Sequence, residues 1–377
     1  MPLSEILLLG FLAGALVLWL SAFGYLMFLR RCAGRAHGTR ARETALPDIA
    51  VIVPVRNETD RVLEKLDDLR RTDYPADRIT VIVADGGSTD GTVERVQASI
   101  DRGAAVRLVH LPDACGKSAQ LNHVLRSVPH DIVVVTDVDS RLAPNCVREL
   151  VGCLLRDPGT AVVGAVVRPE TSLLEERLHW RLLGLLWWLE GEALSAAVVS
   201  GVCYAARRAT IAPLPNGARA EDVYLTLAAA ARGHRVRLCR SAHATELRVP
   251  QSPRELVRFR QRRGANYVQE LLRPLPRTGS PVGWRIARLV RLWHFRVAPK
   301  MVIVLVAVGV ALLWTAHWPW VVAVATAFAV PFFGALQDRH EPGPRPPWWR
   351  VALAASRLAG LTWYALLTIP RQPGEPS

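Results

Sequence analysis

The sequence predicts an α/β domain, with a mostly parallel sheet and helices on both faces, joined to transmembrane α-helices. Between residues 48 and 136, short β-branched apolar runs alternate with amphipathic segments, which is the pattern of parallel strands and crossover helices. Long uncharged apolar stretches stand near both ends of the chain, and about 20 such residues are enough to cross a bilayer. We therefore expect a soluble domain held at a membrane.

The elements of the soluble domain follow from hydrophobic periodicity. Apolar runs without alternation predict strands buried on both faces, at Asp48–Val55, Ile79–Ala84, Ala105–Leu111 and Ile132–Thr136. Apolar residues three or four apart predict helices between them, near Val62–Leu69, Val93–Ile100 and Ser118–Ser127. Ligands of such sheets bind beyond the carboxyl ends of the strands, so a site is expected in the turns that follow them.

The N-terminal apolar stretch predicts an uncleaved transmembrane anchor. Ile6–Leu29 holds no charged residue, and its length argues against a cleaved signal peptide. By the positive-inside rule, the next segment is cytoplasmic because of the arginines Arg30, Arg31, Arg35, Arg40 and Arg42. We expect a multi-pass protein of the cell membrane, divided into an anchor at 1–30, a cytoplasmic domain at 45–275, an interfacial amphipathic helix at 281–299, and a C-terminal region of two to three transmembrane helices at 300–370.

Met301–Ala316 and Trp320–Leu336 predict a helical hairpin through the bilayer. Two other apolar segments have more than one interpretation. Trp348–Ile369 carries two arginines and either spans the bilayer or lies at its interface. Leu173–Ala197 is amphipathic and contains adjacent tryptophans, which fits either core packing or an interfacial position. The sequence leaves both alternatives open.

Composition narrows the classes of partner. The chain has 47 Lys and Arg against 33 Asp and Glu, a net charge of +14. It has no recognisable nucleic-acid module, and attraction of juxtamembrane arginines to anionic lipid explains the excess more simply. Its six cysteines are scattered without a Cys-x-x-Cys pair, which gives no zinc signature and suits a reducing compartment. We expect membrane lipid, and no nucleic acid, among the partners.

Asp137 and Asp139 form the first candidate site, directly after the predicted strand Ile132–Thr136. Burial of unpaired carboxylates is unfavourable, whereas Mg²⁺ and Mn²⁺ prefer such oxygen ligands together with substrate phosphates. The turn Asp85–Gly91 follows a neighbouring strand. Helix capping or turn formation would explain either motif alone. Because both motifs stand at ligand-facing strand ends, together they favour a shared site for a metal and a diphosphate.

Six motifs are spread across residues 48–265. They are Val51-Ile-Val-Pro-Val-Arg-Asn-Glu58, Asp85-Gly-Gly-Ser-Thr-Asp90, Gly116-Lys-Ser-Ala-Gln-Leu-Asn122, Asp137-Val-Asp139, Ser200-Gly-Val-Cys-Tyr204 and Ala220-Glu-Asp-Val-Tyr-Leu-Thr226. Together they resemble the family 2 glycosyltransferases of GT-A fold, a Rossmann-like architecture. With the apolar segments, the chain resembles membrane-embedded synthases of the hyaluronan, poly-N-acetylglucosamine and cellulose type.

The resemblance implies a nucleotide-diphosphate sugar as donor and a divalent metal. The residues implied for the donor are Pro54, Arg56, Glu58, Asp85, Lys117, Asp137, Gln261, Arg262 and Arg263. Asp85 would contact the base or ribose, and Lys117 would neutralise phosphate charge as a point cation. Asp139, with Asp137 beside it, would hold Mg²⁺ or Mn²⁺, which stabilises the leaving diphosphate.

The resemblance also implies a general base. Asp222 would remove the proton of the acceptor hydroxyl, and Glu221 would orient Asp222 or contact the acceptor. Direct attack with a single base implies inversion at the anomeric carbon. Processive members carry Gln-x-x-Arg-Trp, whose Trp stacks on the acceptor sugar, where this chain has Gln261-Arg-Arg-Gly-Ala265.

The expected function is transfer of a sugar, most simply from a UDP-sugar, to a glycan or lipid near the bilayer. Polysaccharide synthesis and a single addition to a polyprenyl or glycolipid acceptor are alternatives within that function. A non-catalytic membrane scaffold with a degenerate glycosyltransferase domain is an alternative from another class. The intact carboxylates favour the enzyme, because a scaffold has no need of Asp139 and Asp222 together.

Overall fold

The computed structural model describes residues 1–33, 45–111, 113, 116–211, 213–275 and 281–336, and positions 350, 353, 354 and 357. The strands of its sheet are β1 Ile49–Val55, β2 Ile79–Asp85, β3 Val106–His110, β4 Ile132–Thr136, β5 Ser140–Leu142, β6 Thr160–Pro169, β7 Cys203–Arg207 and β8 Arg235–Glu246. The α-helices are α1 Leu3–Trp19, α2 Tyr25–Ala33, α3 Val62–Arg70, α4 Thr92–Asp101, α5 Lys117–Ser127, α6 Cys146–Leu155, α7 Leu174–Leu194, α8 Glu221–Ala231, α9 Pro253–Leu272, α10 Val282–Leu292, α11 Ala298–Leu313 and α12 Trp318–Leu336.

The first half of the sheet is parallel, as the sequence predicts. The strand order is β3-β2-β1-β4-β7-β6-β8-β5; β1 pairs in parallel with β2 and β4, and β2 with β3. Every residue of β1 and β4 is buried, which explains why their sequences are apolar without alternation. The four predicted strands agree with β1 to β4 to within about one residue at each end.

The second half of the sheet is mixed, although six of the eight described strands run in one direction, as the sequence predicts. β7 runs antiparallel to both β4 and β6, and β5 runs antiparallel to β8, while β6 and β8 are parallel. The register between β6 and β8 also shifts twice along the pair. The sheet is therefore mixed, because the strand inserted next to β4 enters from the opposite direction.

Helices cover both faces of the sheet, which confirms that part of the prediction. On one face, α3, α4 and α6 pack through Leu66, Val96 and Leu150. On the other face, α5 and α8 pack through Leu121 and Ala228. Each fully buried leucine contributes about 1.5–3 kcal/mol relative to an exposed one, so the two apolar layers fix the sheet that supports the site.

Among the described residues, two continuous helices are long and apolar enough to cross a membrane, by length and composition. Leu3–Ala33 contains α1, a π-helical turn at Leu20–Gly24 and α2. Val282–Leu313 contains α10, a π-helical turn at Trp293–Val297 and α11.

The two long helices pack against each other. A β-carbon added at Gly309 would lie 3.2 Å from the Phe11 ring, and one added at Gly14 would lie 2.9 Å from Leu305. Small residues at such contacts let apolar helices approach closely. Outward-facing side chains such as Leu16 remain exposed, so α1 and α11 present apolar surface to their surroundings.

The predicted C-terminal hairpin corresponds to α11 and α12, which are helical as expected. The segment Trp348–Ile369 lies outside the described residues except at positions 350, 353, 354 and 357. Three of the arginines after the anchor, Arg35, Arg40 and Arg42, also lie outside them. The predictions that rest on these residues therefore stay predictions.

The helix α7 packs against the sheet, which supports core packing as the interpretation of Leu173–Ala197. Leu178, Trp180 and Leu189 are buried, and α7 contacts β6, β8 and α2. Trp180 belongs to the apolar core of the sheet, and Trp187 packs against that core.

Two of the six cysteines, which the sequence presents as scattered thiols, lie close together in the structure. Cys153 of α6 and Cys239 of β8 lie next to each other, with Cα atoms 6.4 Å apart. The sequence separation of 86 residues concealed the pair. The two residues meet because α6 packs directly against β8.

Candidate active site

The predicted polar residues converge at the carboxyl edge of the parallel strands. Asp85 ends β2, and Asp137 and Asp139 follow β4. The loop before β7 brings Gly201 to the same edge, where the backbone N–H of Gly201 meets the carboxylate of Asp222 at the start of α8. This edge is where ligands of parallel sheets bind, so the topology assembles one candidate site from distant parts of the chain.

Asp85 is fully buried and organises the turn after β2. Its carboxylate accepts hydrogen bonds from the backbone N–H groups of Gly87 at 3.0 Å and Ser88 at 3.1 Å, and from the Ser88 hydroxyl. Gly87 has a φ of 80°, which glycine adopts without strain. His110 at the end of β3 lies 2.9 Å from the same carboxylate. Sequence reasoning missed His110, because it follows Asp85 by 25 residues on another strand.

Lys117 lies at the centre of a cluster of carboxylates. Its Nζ is 2.6 Å from Asp137 and 2.5 Å from Glu221. Burial lowers the pKa of Lys117, but the charges of Asp137 and Glu221 more than offset that effect and hold the pKa well above its ordinary value. Lys117 is therefore a fixed positive charge between the two predicted catalytic motifs.

Asp222 is held in place by two backbone donors. Gly201 N–H donates to Oδ2 at 2.6 Å, and Val223 N–H donates to Oδ1 at 2.8 Å. Burial and the neighbouring charge of Glu221 raise the pKa of Asp222 to about 6, against the opposing effects of Lys117 and the two N–H groups. A carboxylate with that pKa is well matched to accept a proton near neutral pH.

Gly201 faces both Asp222 and Lys117. A β-carbon added at this position would lie 2.9 Å from the Lys117 Nζ and 3.3 Å from Asp222 Oδ2. Both of these atoms are already fixed by hydrogen bonds or ion pairs. The loop glycine therefore keeps the space between the cation and the carboxylate free.

Asp139 is paired with an arginine that the sequence did not indicate. Arg248 Nε lies 3.2 Å from Asp139, while its Nη2 lies 2.7 Å from both carboxylate oxygens of Glu58. Burial and the charge of Asp137 raise the pKa of Asp139, and Arg248 opposes the rise. Arg248 thus joins two of the predicted site residues across 190 residues of sequence, a separation that no local pattern reveals.

A buried lysine fixes the loop that carries Asp137. Lys65 Nζ donates to the backbone oxygen and the hydroxyl of Ser140, both at 3.0 Å, and lies 3.2 Å from Asp68. The Ser140 hydroxyl in turn donates to the backbone oxygen of Asp137 at 2.7 Å. Lys65 is one of three lysines in the chain and was not predicted to be part of the site.

The remaining predicted residues are arranged less closely. Pro54 lies within β1, and Arg56 is exposed at the end of that strand. Arg263 pairs with Glu246, whose pKa is raised to about 7 by burial. Arg262 is exposed over the Phe259 ring. Six predicted residues line a common cavity of about 790 Å³: Lys117, Asp137, Glu221, Asp222, Arg262 and Arg263.

Asp137 and Asp139 suit a divalent cation that arrives with a ligand. The side chains of Asp137 and Asp139 are 30% and 19% exposed to solvent, so both carboxylates are accessible to a ligand. Within the described part of the chain, no group of three or more His, Cys, Asp or Glu side chains could enclose a metal ion. Mg²⁺ and Mn²⁺ commonly bind through one or two carboxylates and substrate phosphates, so this open pair fits that mode.

Comparison with known proteins identifies the family. Residues 50–204 match the family described as Glycosyl transferase family 2. The probable glycosyltransferase YdaM of Bacillus subtilis (strain 168) is 29% identical over 237 residues, which cover 59% of this chain and 56% of that protein. An N-acetylglucosaminyltransferase of Rhizobium meliloti (strain 1021) is 29% identical over 199 residues, which cover 50% and 46%. The chain thus spans about half the length of these two curated relatives.

A solved structure shows the same fold over nearly the whole chain. The mannosyltransferase PcManGT from Pyrobaculum calidifontis, solved in complex with GDP-Man and Mn²⁺, superimposes with a TM-score of 0.69 at 24% identity. The match covers 94% of this chain and 98% of that one, and it establishes the GT-A fold. An N-acetylglucosaminyltransferase of Bradyrhizobium elkanii is 35% identical over 137 residues, which cover 34% of this chain and 72% of that protein. With the family match, this relative shows that the chain belongs to glycosyl transferase family 2.

Proposed function

We propose that this protein is a membrane-bound, metal-dependent glycosyltransferase that moves a sugar from a nucleotide-diphosphate sugar, most simply a UDP-sugar, to a hydroxyl of a glycan or lipid. The observation that carries the proposal is the convergence of Asp137, Lys117 and Asp222 on one cavity. Sugar transfer from a diphosphate needs a base for the acceptor and positive charge for the leaving group, and these residues match that need.

The donor would lie along the carboxyl edge of the sheet. Asp85 and its turn would receive the base or ribose, and Lys117 would face the phosphates. We include Pro54, Arg56, Glu58, Gln261, Arg262 and Arg263 in the proposed donor site because the family resemblance implies them. The N-acetylglucosaminyltransferases among the relatives, and the GDP-Man in the solved structure, support a nucleotide sugar as donor.

Asp137 and Asp139 would hold Mg²⁺ or Mn²⁺. When bound, the metal supplies positive charge that stabilises the leaving diphosphate. Arg248 occupies part of the same carboxylate surface, because it lies 3.2 Å from Asp139. Its second partner, Glu58, keeps the guanidinium close to the site if Asp139 turns toward a metal.

Asp222 would act as the general base. It would accept the proton of the acceptor hydroxyl as the hydroxyl oxygen bonds to the anomeric carbon and the bond to the diphosphate breaks. The N–H groups of Gly201 and Val223 orient the carboxylate for this step. One base and one direct displacement give inversion, so an α-linked donor would yield a β-glycoside.

We place residues 45–275 on the cytoplasmic side of the cell membrane, with the anchor before them and the amphipathic helix and C-terminal helices after them. Two helices of sufficient length and hydropathy support the membrane location. Arg30 and Arg31 end the first of them, in the position that the positive-inside rule assigns to the cytoplasm.

Release of nucleotide diphosphate by the purified full chain tests the function. The protein would be assayed with Mn²⁺ and a panel of UDP- and GDP-sugars, with Asp139→Ala and Asp222→Asn beside the wild type. We expect one donor to be turned over, and both variants to lose that activity by about 10²–10⁴-fold. Asp67→Asn is the matched control, since Asp67 lies on the exposed side of α3 and pairs with Arg70.

The variants separate the parts of the proposal. Asp222→Asn should keep metal-dependent nucleotide binding, whereas Asp139→Ala should lose it. Undiminished transfer by Asp222→Asn would refute the base assignment. Absence of turnover together with absence of metal-dependent nucleotide binding would favour a non-catalytic scaffold instead.

A further inference from the structure

The cavity that holds the catalytic cluster extends to the N-terminal helix. Its volume is about 790 Å³, and its wall contains Asp137 and Asp222 together with Phe23 and Leu26 from the N-terminal helix. Phe23 belongs to the π-helical turn before α2, and Leu26 belongs to α2. A single space therefore connects the proposed base with the helix that we propose to lie in the membrane.

The wall of this cavity is mostly apolar. The apolar side chains come from the N-terminal helix, α7 and the π-helical turn after α10, and they include Phe23, Leu26, Leu182, Leu186, Trp187 and Phe295. Cavities of a few hundred Å³ with apolar walls and a few convergent polar groups are typical ligand sites. A bare glycan would leave water for a wall that is mostly apolar, which is unfavourable wherever its hydroxyls find no hydrogen-bond partner.

Two pairs of buried charged residues in the same wall, Arg291 with Glu190 and Arg260 with Glu176, neutralise each other. Arg291 donates to Glu190 and, at 2.6 Å, to the backbone oxygen of Ala196, and the Tyr25 hydroxyl donates to Glu190 at 2.8 Å. The side chains of Arg291 and Glu190 retain 7% and 1% exposure. Their charges therefore compensate each other and contribute little surface to the cavity.

We infer that the acceptor is a lipid with a hydroxyl-bearing head, whose apolar chain lies in this cavity between α2, α7 and the π-helical turn Trp293–Val297. The inference rests on the proposed function and selects one of its acceptor classes. The head would meet Asp222, and the chain would extend toward Leu26. In this arrangement the lipid would enter from the side of the N-terminal helix, and the donor would reach the cavity from the carboxyl edge of the sheet.

Photolabelling tests the inference without requiring turnover. The probe is hexadecyl glucoside with a diazirine at the end of the chain, irradiated with the full chain in phosphatidylcholine nanodiscs and mapped by peptide mass spectrometry. We expect label on the cavity-lining residues of α2 and α7, and we expect excess unlabelled hexadecyl glucoside to suppress it more than octyl glucoside does. Label confined to outward-facing residues such as Leu16 and Met27, unaffected by competition, would overturn the inference.

A pair of adjacent substitutions supplies the second measurement. Leu26→Trp adds bulk inside the cavity, whereas Met27→Trp adds the same bulk at the neighbouring exposed position, which is outside the lining. We expect Leu26→Trp to lower competed labelling at least tenfold and Met27→Trp to leave it within about twofold of the wild type. Equal effects of the two variants would overturn the inference.

Donor turnover is recorded separately as release of nucleotide diphosphate to water. Specific labelling without donor turnover and without metal-dependent nucleotide binding would leave the lipid site supported and the proposed enzymatic function refuted. A second outcome is donor turnover accompanied by transfer to soluble sugars, with that transfer unchanged in Leu26→Trp. It would leave the enzymatic function supported and refute the lipid acceptor.

Discussion

The carboxylate of Asp222 is subject to opposing influences. Burial and Glu221 raise its pKa, whereas Lys117 and two backbone N–H groups lower it, and the pKa settles near 6. Only the deprotonated form can accept a proton from the acceptor. The environment of this one residue should therefore set the acid side of the pH dependence.

We predict that kcat/KM rises with pH through about 6 and becomes level above it, because the active carboxylate is lost as pH falls through the pKa. The measurement is the pH profile of transfer at saturating metal. The residual activity of Asp222→Asn should lack the step near pH 6. A step of the same size in that variant would assign the titration to another group.

Gly201→Ala should impair the site without unfolding the domain. The new methyl group would meet Lys117 Nζ at 2.9 Å, and Lys117 cannot move away without leaving Asp137 or Glu221. We expect a loss of transfer of at least about tenfold, which corresponds to about 1.4 kcal/mol, with little change in the thermal midpoint. Gly152→Ala is the control, since a β-carbon there meets nothing within 4 Å. Equal activity of the two variants would contradict the packing argument.

At the scale of single residues, sequence reasoning found the acidic groups and Lys117 but missed Arg248 and Lys65. Asp137 and Asp139 stand out because carboxylates at the end of a strand are visible in a linear pattern, whereas Asp222 was implied by the family resemblance. Arg248 and Lys65 do not stand out, because an arginine in an arginine-rich chain and a lysine on a helix have many ordinary explanations. Their partners lie 190 and 75 residues away, so only the fold identifies them.

At the scale of elements, α3 has a second role besides covering the sheet. Lys65 from its buried face reaches Ser140 in β5, and Asp68 from the same helix accepts the backbone N–H of Leu142 at 3.0 Å. These contacts attach the short strand β5 to α3. The segment between β4 and β5, which carries Asp137 and Asp139, is thereby held at both ends.

Lys65→Met should destabilise the protein and weaken metal binding together. The substitution leaves Asp68 and Ser140 without their buried partner, which typically costs about 3–5 kcal/mol. We expect the thermal midpoint to fall by about 6 °C or more, and the Mn²⁺ concentration for half-maximal activity to rise. Arg70→Met on the exposed side of α3 is the control and should change neither, since its ion pair with Asp67 is in water. A stable Lys65→Met protein would show that the helix contact is dispensable.

The limits of prediction at this scale have a physical cause. β1 to β4 were predicted because strands buried on both faces read as apolar runs between helices. The orientation of β7 was not predicted, because the sequence Cys-Tyr-Ala-Ala-Arg fits a strand that runs in either direction. The neighbours of β7 in the sheet are set by the long helix α7 that precedes it. The mixed half of the sheet therefore required the structure.

At the scale of the whole molecule, three distant segments meet at one buried ion pair. Tyr25 of α2, Glu190 of α7 and Arg291 of α10 form a continuous set of hydrogen bonds. The set connects the N-terminal helix to the catalytic domain and to the C-terminal helices. The two long apolar helices and the sheet domain are thus structurally dependent on each other.

We predict that Arg291→Met destabilises the protein strongly, whereas Glu190→Leu together with Arg291→Met restores most of the stability. The single variant leaves a buried carboxylate unpaired, which costs about 3–5 kcal/mol, while the double variant removes both charges. Thermal unfolding of the wild type, both single variants and the double variant forms the cycle. Arg141→Met, which breaks an exposed pair with Glu170, is the control. Additive effects of the two single changes would contradict the coupling.

The same three residues also set an order of events during synthesis. Tyr25 leaves the ribosome first, its partner Glu190 follows 165 residues later, and Arg291 follows after another 101 residues. At about 5–20 residues per second, the N-terminal helix waits on the order of ten seconds or more before its neighbours exist. A nascent chain stopped at residue 275 would contain every strand of the sheet while still lacking the last wall of its cavity.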